Sequence, residues 1–123
     1  MTQEDKEFLL KDLCARLPYG VRYKHLAWDD ERGEECIAAQ IYSINSDGYV
    51  KNCYDDESDY IDNVRPYLFP LSSITKKRLE ELSEYIDIKN AYVAVEIFNS
   101  HHIDYRGLID KNLAIDATGL NIY

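Results

Sequence analysis

The fold of this chain is decided by residues 36–54, CIAAQIYSINSDGYVKNCY. Within 37–41 every second residue is aliphatic, which is the period of a half-buried strand. Residues 45–48, NSDG, have the composition of a tight turn, and Gly48 suits the left-handed backbone conformation that such a turn needs. Residues 49–54 then return as the next strand. The pattern predicts a β-hairpin at the centre of the chain.

Two further strands are predicted on either side of this hairpin. Residues 21–28 alternate between inward and outward types and lead into a charged turn at 29–35. An acidic tip at 55–59 is followed by a short strand at 60–64. Strands joined in sequence by tight turns are typical of an antiparallel meander. About four strands of this length can curl into a small SH3-like barrel or remain an open sheet.

An amphipathic helix is predicted before the meander. Leu9, Leu13 and Leu17 recur every four residues, which places them on one face of a helix. Thr2 can cap its N-terminus, and the helix is expected to stop before Gly20, which permits a sharp change of direction.

The chain after the meander is less regular. Residues 65–73, RPYLFPLSS, contain two prolines and are expected to form an irregular apolar strap across the core. A helix capped by Ser73 or Thr75 should follow, with its buried face formed by Leu79, Leu82 and Ile86. Residues 91–98 fit either a strand or a helix.

Composition indicates one soluble domain spanning residues 1–123. The chain is 46% hydrophobic and 30% charged, as in ordinary globular domains. It has no apolar run long enough to cross a membrane, and its N-terminus lacks the features of a signal peptide. We therefore expect a cytoplasmic protein. A formal net charge of −9 disfavours nucleic acid as a partner.

The cysteines indicate neither a zinc site nor a disulfide framework. There are three, and no CxxC spacing occurs. Cys14 lies in the helical pattern and is expected in the core. Cys36 and Cys53 could face each other across the hairpin, and in a reducing cytosol we expect them to be thiols.

The residues with the most chemistry lie near the C-terminus, at His101, His102, Asp104, Tyr105 and Arg106. Imidazoles, a carboxylate and a guanidinium can bind anions or metals. They can also organise a turn, with the carboxylate capping backbone groups and the other side chains packing and pairing. We favour the turn, and take these five residues as candidate binding residues.

Two motif matches are incomplete. The segment His102-Ile103-Asp104 followed by Asn112 resembles an HNH-type nuclease, but the residues after Asn112 contain no His or Cys. Residues 55–62 resemble a calcium loop, but an EF-hand needs Gly at position six and an acid at position twelve. Tyr60 and Pro66 occupy those positions, so a solvated hairpin tip is the preferred interpretation.

Three segments resemble an uncharacterised family of small proteins from gut Bacteroidales genomes and their phages and mobile elements. They are LLKDLCARLPYGV (9–21), RPYLFPLSSIT (65–75) and HHIDYRGLI (101–109), the last followed by Leu113-Ala114. The resemblance implies a helix at 91–100 and a phage or mobile-element setting, but no activity. The predicted fold is therefore α+β: an N-terminal helix, an antiparallel meander, and two C-terminal helices.

We expect a non-enzymatic protein-binding module. Its partner would be a protein, either a different one or a second copy of this chain. Tyr accounts for 11 of 123 residues and is enriched at recognition surfaces, although a small β-rich domain also uses Tyr where others use Phe. The alternatives are an acidic mimic of nucleic acid that blocks a host enzyme, and a metal-dependent HNH-like nuclease. We assign no catalytic residue, metal or cofactor, and expect no membrane partner.

Overall fold

The structure, a computed structural model, describes residues 1–31, 33–74 and 91–123. Its predicted α+β architecture, with an N-terminal helix and a four-stranded antiparallel meander, is confirmed. The elements are α1 (Gln3–Arg16), β1 (Arg22–Asp29), β2 (Gly33–Ile44), β3 (Tyr49–Asn52), β4 (Ser58–Tyr60), β5 (Tyr67–Pro70), α2 (Ala91–Ser100), β6 (Ile103–Asp104) and β7 (Ile115–Asp116).

The meander is a curled half-barrel. Its strand order is β1-β2-β3-β4, with every neighbouring pair antiparallel. A register shift in β2 between Ile41 and Ser43 bends the long strand. The curl brings the inward side chain of His25 in β1 to within 2.6 Å of Asp59 in β4. Side chains rather than a backbone ladder therefore join the first and last strands.

Helix α1 packs inside this half-barrel. Thr2 and Asp5 form a reciprocal capping box at its N-terminus, as expected of Thr2. Leu9 and Leu13 are fully buried. A short 3-10 turn at Leu17–Tyr19 ends the helix, and Gly20 adopts a φ of 72°. The predicted helix is confirmed.

The predicted irregular strap is instead the central strand of a second sheet. Strand β5 pairs in parallel with β6 on one side and β7 on the other. The N–H of Phe69 donates to the His102 carbonyl at 2.8 Å, and the Leu68 carbonyl accepts from Ala117 at 2.8 Å. Pro66 and Pro70 flank these bonded residues, where a missing N–H does not interrupt the ladder.

One further expectation needs adjustment. The fourth strand covers Ser58–Tyr60, earlier than the predicted 60–64, because Ile61–Asn63 forms a 3-10 turn that inserts buried Ile61 into the core. The helix at 91–100 is confirmed as α2. The other predicted C-terminal helix, with Leu79, Leu82 and Ile86, lies outside the described residues.

The core lies between α1, the concave side of the half-barrel and the segments around β5. Its fully buried aliphatic residues are Leu9, Leu13, Val21, Val50, Val64, Leu68 and Leu108. Neither described helix is both long enough and apolar enough to traverse a lipid bilayer.

The expectation for Cys14 was wrong. It is exposed, since it follows buried Leu13 and so lies about 100° away on the helix surface. Cys36 and Cys53 are also exposed free thiols. They do not face each other, because the Cys53 N–H donates to the Gln40 carbonyl at 3.0 Å, which places Cys53 four residues along β2 from Cys36.

The hairpin turn gives a stability prediction. Gly48 has a φ of 88°, and a Cβ there would lie 3.3 Å from the Tyr60 ring. Gly33 has a φ of 77° but open space around it. Gly33→Ala should lower the free energy of unfolding by about 1–2 kcal/mol from backbone strain alone, and Gly48→Ala should cost more. Urea unfolding followed by circular dichroism measures both, and equal losses would contradict the crowding argument.

Candidate functional site

The segment predicted to carry binding residues packs against α1, in what we term the C-terminal corner (residues 101–106 with Asp12 and Arg16). Asp12 and Arg16 lie one turn apart and have fully buried side chains. Arg16 donates to Asp12 through Nε at 2.7 Å and Nη2 at 3.2 Å. Its Nη2 also donates to the Ile103 carbonyl at 2.6 Å. Nε of Arg106 lies 3.2 Å from the same carboxylate. One buried carboxylate thus binds two guanidinium groups from distant parts of the chain.

Asp104 and Tyr105 complete the packing of the corner. The two Asp104 carboxylate oxygens accept the backbone N–H groups of Leu108 and Ile109, each at 2.8 Å. The guanidinium carbons of Arg16 and Arg106 each lie 5.2 Å from the centre of the Tyr105 ring. The carboxylate therefore caps the following turn, as the preferred interpretation expected.

The two adjacent histidines are placed differently. His101 is exposed, whereas the His102 ring stacks on Tyr123 with its centre 3.6 Å away. Burial, together with the positive charge of Arg16, lowers the pKa of His102 to about 4. The ring is therefore neutral at pH 7. The structure brings Asp104, Tyr105 and Arg106 together against α1, and the role of all five residues in binding stays a prediction.

The buried ion pair gives a second prediction. Asp12→Ala leaves the Arg16 guanidinium buried without its carboxylate, and should lower the free energy of unfolding by about 3–5 kcal/mol. Lys6→Ala removes a more exposed ion pair of the same helix, with Asp62 at 3.5 Å, and should cost much less. Chemical denaturation compares the two variants, and similar losses would show that the corner adds nothing beyond a surface pair.

A second polar cluster was missed by the sequence analysis, and we call it the His25 cluster (Tyr23, His25, Asn52, Asp55 and Asp59). The side chain of His25 is 1% exposed. Its Nδ1 lies 2.6 Å from Asp59 Oδ2 and its Nε2 lies 2.8 Å from Asp55 Oδ2. Neutral imidazole has only one N–H, so both hydrogen bonds form together only when the ring is protonated.

Tyr23 and Asn52 extend the His25 cluster into a network. The Tyr23 hydroxyl donates to Asp59 at 2.6 Å. Asn52 Nδ2 donates to the Tyr23 hydroxyl at 3.0 Å and to Asp55 at 3.3 Å. The amide oxygen of Asn52 accepts from the backbone N–H groups of Tyr54 and Asp55, each at 2.9 Å. The network therefore joins β1, β3, β4 and the acidic loop between the last two strands.

One signal could have revealed this cluster. The alternation of β1 places His25 on the inward face with Tyr23 and Ala27, and a buried imidazole needs polar partners. The acidic tip was interpreted as a solvated hairpin tip, but two of its carboxylates are largely withdrawn from solvent. Asp55 and Asp59 turn inward and are only about a quarter exposed, at 26% and 27%.

The charges in the cluster shift two pKa values in opposite directions. Burial disfavours the charged form of His25, but its hydrogen bonds to Asp55 and Asp59 outweigh burial and raise its pKa. Burial likewise raises the pKa of Asp55, and the hydrogen bond from His25 helps to bring it below its usual value. The folded protein therefore favours an imidazolium beside a carboxylate.

The raised pKa predicts a pH dependence of stability. Protonated His25 stabilises the folded state fully below its unfolded pKa of about 6.5. This stabilisation is lost as the pH rises through the higher folded pKa. Urea midpoints should therefore fall as the pH rises above about 6.5, and His25→Gln should flatten that fall. His102, with its lowered pKa, acts with the opposite sign and at lower pH. A His25→Gln profile parallel to the unmodified one would contradict the assignment.

The outer face of β1 and β2 is apolar in places and open to solvent. Leu26 and Trp28 are 55% and 67% exposed. They lie opposite Cys36 and Glu34 on β2. Tyr42 and Tyr54 are also more than half exposed and line a neighbouring cleft with Asp55 and Asp56.

One edge of β1 is open along the same stretch. The Val21 carbonyl accepts from Ile41, so odd-numbered residues of β1 direct their backbone groups toward β2. Lys24 directs its N–H the other way, to the Arg65 carbonyl at 3.1 Å. Leu26 and Trp28 share the direction of Lys24, and the described part of the chain gives no backbone partner there.

A cleft follows this open edge, between β1 and the segment around β4. Its volume is about 560 Å³. The lining is mixed in charge and consists of Lys24, Leu26, Asp59, Asp62, Asn63 and Arg65. We call it the seam cleft, because the hydrogen bond between His25 and Asp59 joins the same two strands.

Comparisons with protein-family models, with curated proteins and with solved structures give no match to this chain. The resemblance carried by residues 9–21, 65–75 and 101–109 therefore stays a prediction.

Proposed function

We propose that this chain is a non-enzymatic, cytosolic protein-binding module of the kind carried by gut Bacteroidales phages and mobile elements. The observation that carries the proposal is the exposure of Leu26 and Trp28 on the outer face of β1 and β2. A Trp that is 67% exposed on a rigid strand offers a large apolar area to a partner. Such aromatic anchors carry much of the free energy of protein–protein binding.

The open edge of β1 supports the same proposal. A partner segment in extended conformation can add to a strand edge through main-chain hydrogen bonds. The backbone groups of Leu26 and Trp28 point to that edge, and the side chains of Lys24 and Arg65 lie beside it in the seam cleft. Apolar and charged groups next to free backbone groups suit a partner that is a protein.

The C-terminal corner is a second proposed contact. His101 is exposed, and Tyr105 and Arg106 are half-buried. The last two also line a cleft with Pro70 and Leu71. A partner reaching this cleft would contact side chains whose positions are fixed by Asp12 and Arg16.

The alternatives have less support among the described residues. An acidic mimic of nucleic acid rests on the net charge of −9 alone. In a nuclease, His102 would have to activate water, yet its ring is buried against Tyr123. Both oxygens of Asp104 already accept backbone hydrogen bonds.

Site-directed photo-crosslinking tests the protein-binding proposal. One variant keeps only Cys36, on the outer face, and a matched variant keeps only Cys14, which is exposed on α1. The same photo-crosslinker is attached to the thiol of each variant. Each labelled variant is then incubated in lysate of the organism that encodes the chain. A discrete adduct is expected from Cys36 and not from Cys14, and Trp28→Ala should reduce it at least about tenfold.

Two results would contradict the proposed surface, and a third would identify the partner. Equal adducts from the two positions, or an adduct that survives Trp28→Ala unchanged, would contradict the proposed surface. An adduct of twice the chain mass would identify a second copy as the partner, which sedimentation of the unmodified protein then checks.

A further inference from the structure

The His25 cluster and the neighbouring Glu57 bring together side chains of the types that bind metal ions. Ligand atoms of His25, Asp55 and Glu57 lie within 4.8 Å of one another, the one such set among the residues that the structure describes. We propose that His25 Nε2 and the carboxylates of Asp55 and Glu57 bind a divalent transition-metal ion of the Zn²⁺ type. The inference is independent of the protein-binding proposal.

The ligand atoms of His25 and Asp55 are already oriented by their other hydrogen bonds. Asp59 holds Nδ1 of His25 at 2.6 Å, which directs Nε2 toward Asp55. Carboxylates that hold the second nitrogen of a metal-binding histidine are a recurrent feature of such sites. Oδ1 of Asp55 accepts from the Glu57 N–H at 3.1 Å and from Asn52 at 3.3 Å, which leaves Oδ2 facing the imidazole.

The spacing is close to what an ion requires. Two ligands at about 2.0–2.1 Å from a tetrahedral ion lie about 3.3 Å apart. His25 Nε2 and Asp55 Oδ2 are 2.8 Å apart, so a small opening of this pair admits an ion. Glu57 is exposed and can close on the ion from the loop. The adjacent cleft lined by Asn52, Tyr54 and Asp55 gives solvent access.

The charges around His25 favour a dication. Three carboxylates, those of Asp55, Glu57 and Asp59, surround one imidazole, and a proton on the ring offsets only one negative charge. A divalent ion on the neutral ring offsets two. The Tyr23 hydroxyl also faces the cluster as a neutral donor. Imidazole combined with carboxylate suits Zn²⁺ or Mn²⁺, whereas Ca²⁺ and Mg²⁺ prefer oxygen ligands throughout.

Calorimetric titration of the metal-free full chain with Zn²⁺ tests the site, with Co²⁺ absorption as a second readout of coordination. The three exposed cysteines are first replaced by serine, so that thiolates do not bind the ion. One equivalent of Zn²⁺ should bind saturably. Glu57→Gln should weaken binding at least about tenfold, since it removes a ligand while keeping the backbone N–H that Asp55 uses.

Asp56→Asn is the matched control. It makes the same change of charge in the same loop at an exposed residue outside the ligand set, and should leave the affinity unchanged. Asp59→Asn should weaken binding about 10–100-fold through the orientation of His25, and His25→Gln should abolish it. Circular dichroism checks the fold of each variant.

Two outcomes would overturn the site. The first is no saturable Zn²⁺ binding by the cysteine-free chain. The second is equal weakening by Glu57→Gln and Asp56→Asn, which would indicate general attraction of cations to the acidic loop.

Discussion

The hydrogen bonds of one buried imidazole hold the curvature of the main sheet. Strands β1 and β4 are the ends of a meander, and no described ladder joins them directly. His25 bridges the gap by donating to Asp59 on β4 and to Asp55 in the preceding loop. The half-barrel can therefore enclose α1 on one side, while on the other side Leu26 and Trp28 of its first strand have no backbone partner among the described residues.

A second buried charge connects the C-terminal part of the chain to the half-barrel and the helix inside it. Asp12 on α1 binds Arg16 and Arg106, and Arg16 in turn reaches the backbone at Ile103. The three-stranded parallel sheet is thereby anchored to the helix that fills the half-barrel. Both clusters follow one rule: a buried charge is retained where partners from separate segments surround it. Each cluster links segments that lie far apart in the sequence.

Local patterns were sufficient to predict the elements but not these links. The helix cap at Thr2 and the turn at Gly48 follow from neighbouring residues alone, and both predictions are confirmed. The strand β5 was missed because its partners, β6 and β7, come from the C-terminal third of the chain and pair in parallel. The role of His25 was missed for the same reason, since its acidic partners are 30 and 34 residues away. Alternation shows which side chains point inward, but not what they meet there.

The burial of the Asp12 carboxylate has a consequence for ionic strength. Salt screens charges that lie in water and leaves a fully buried contact almost untouched. The surface of this chain repels itself, with a formal net charge of −9. Adding sodium chloride therefore relieves the repulsion without weakening the contact between α1 and the C-terminal corner. The free energy of unfolding should therefore be higher in concentrated sodium chloride than in dilute buffer.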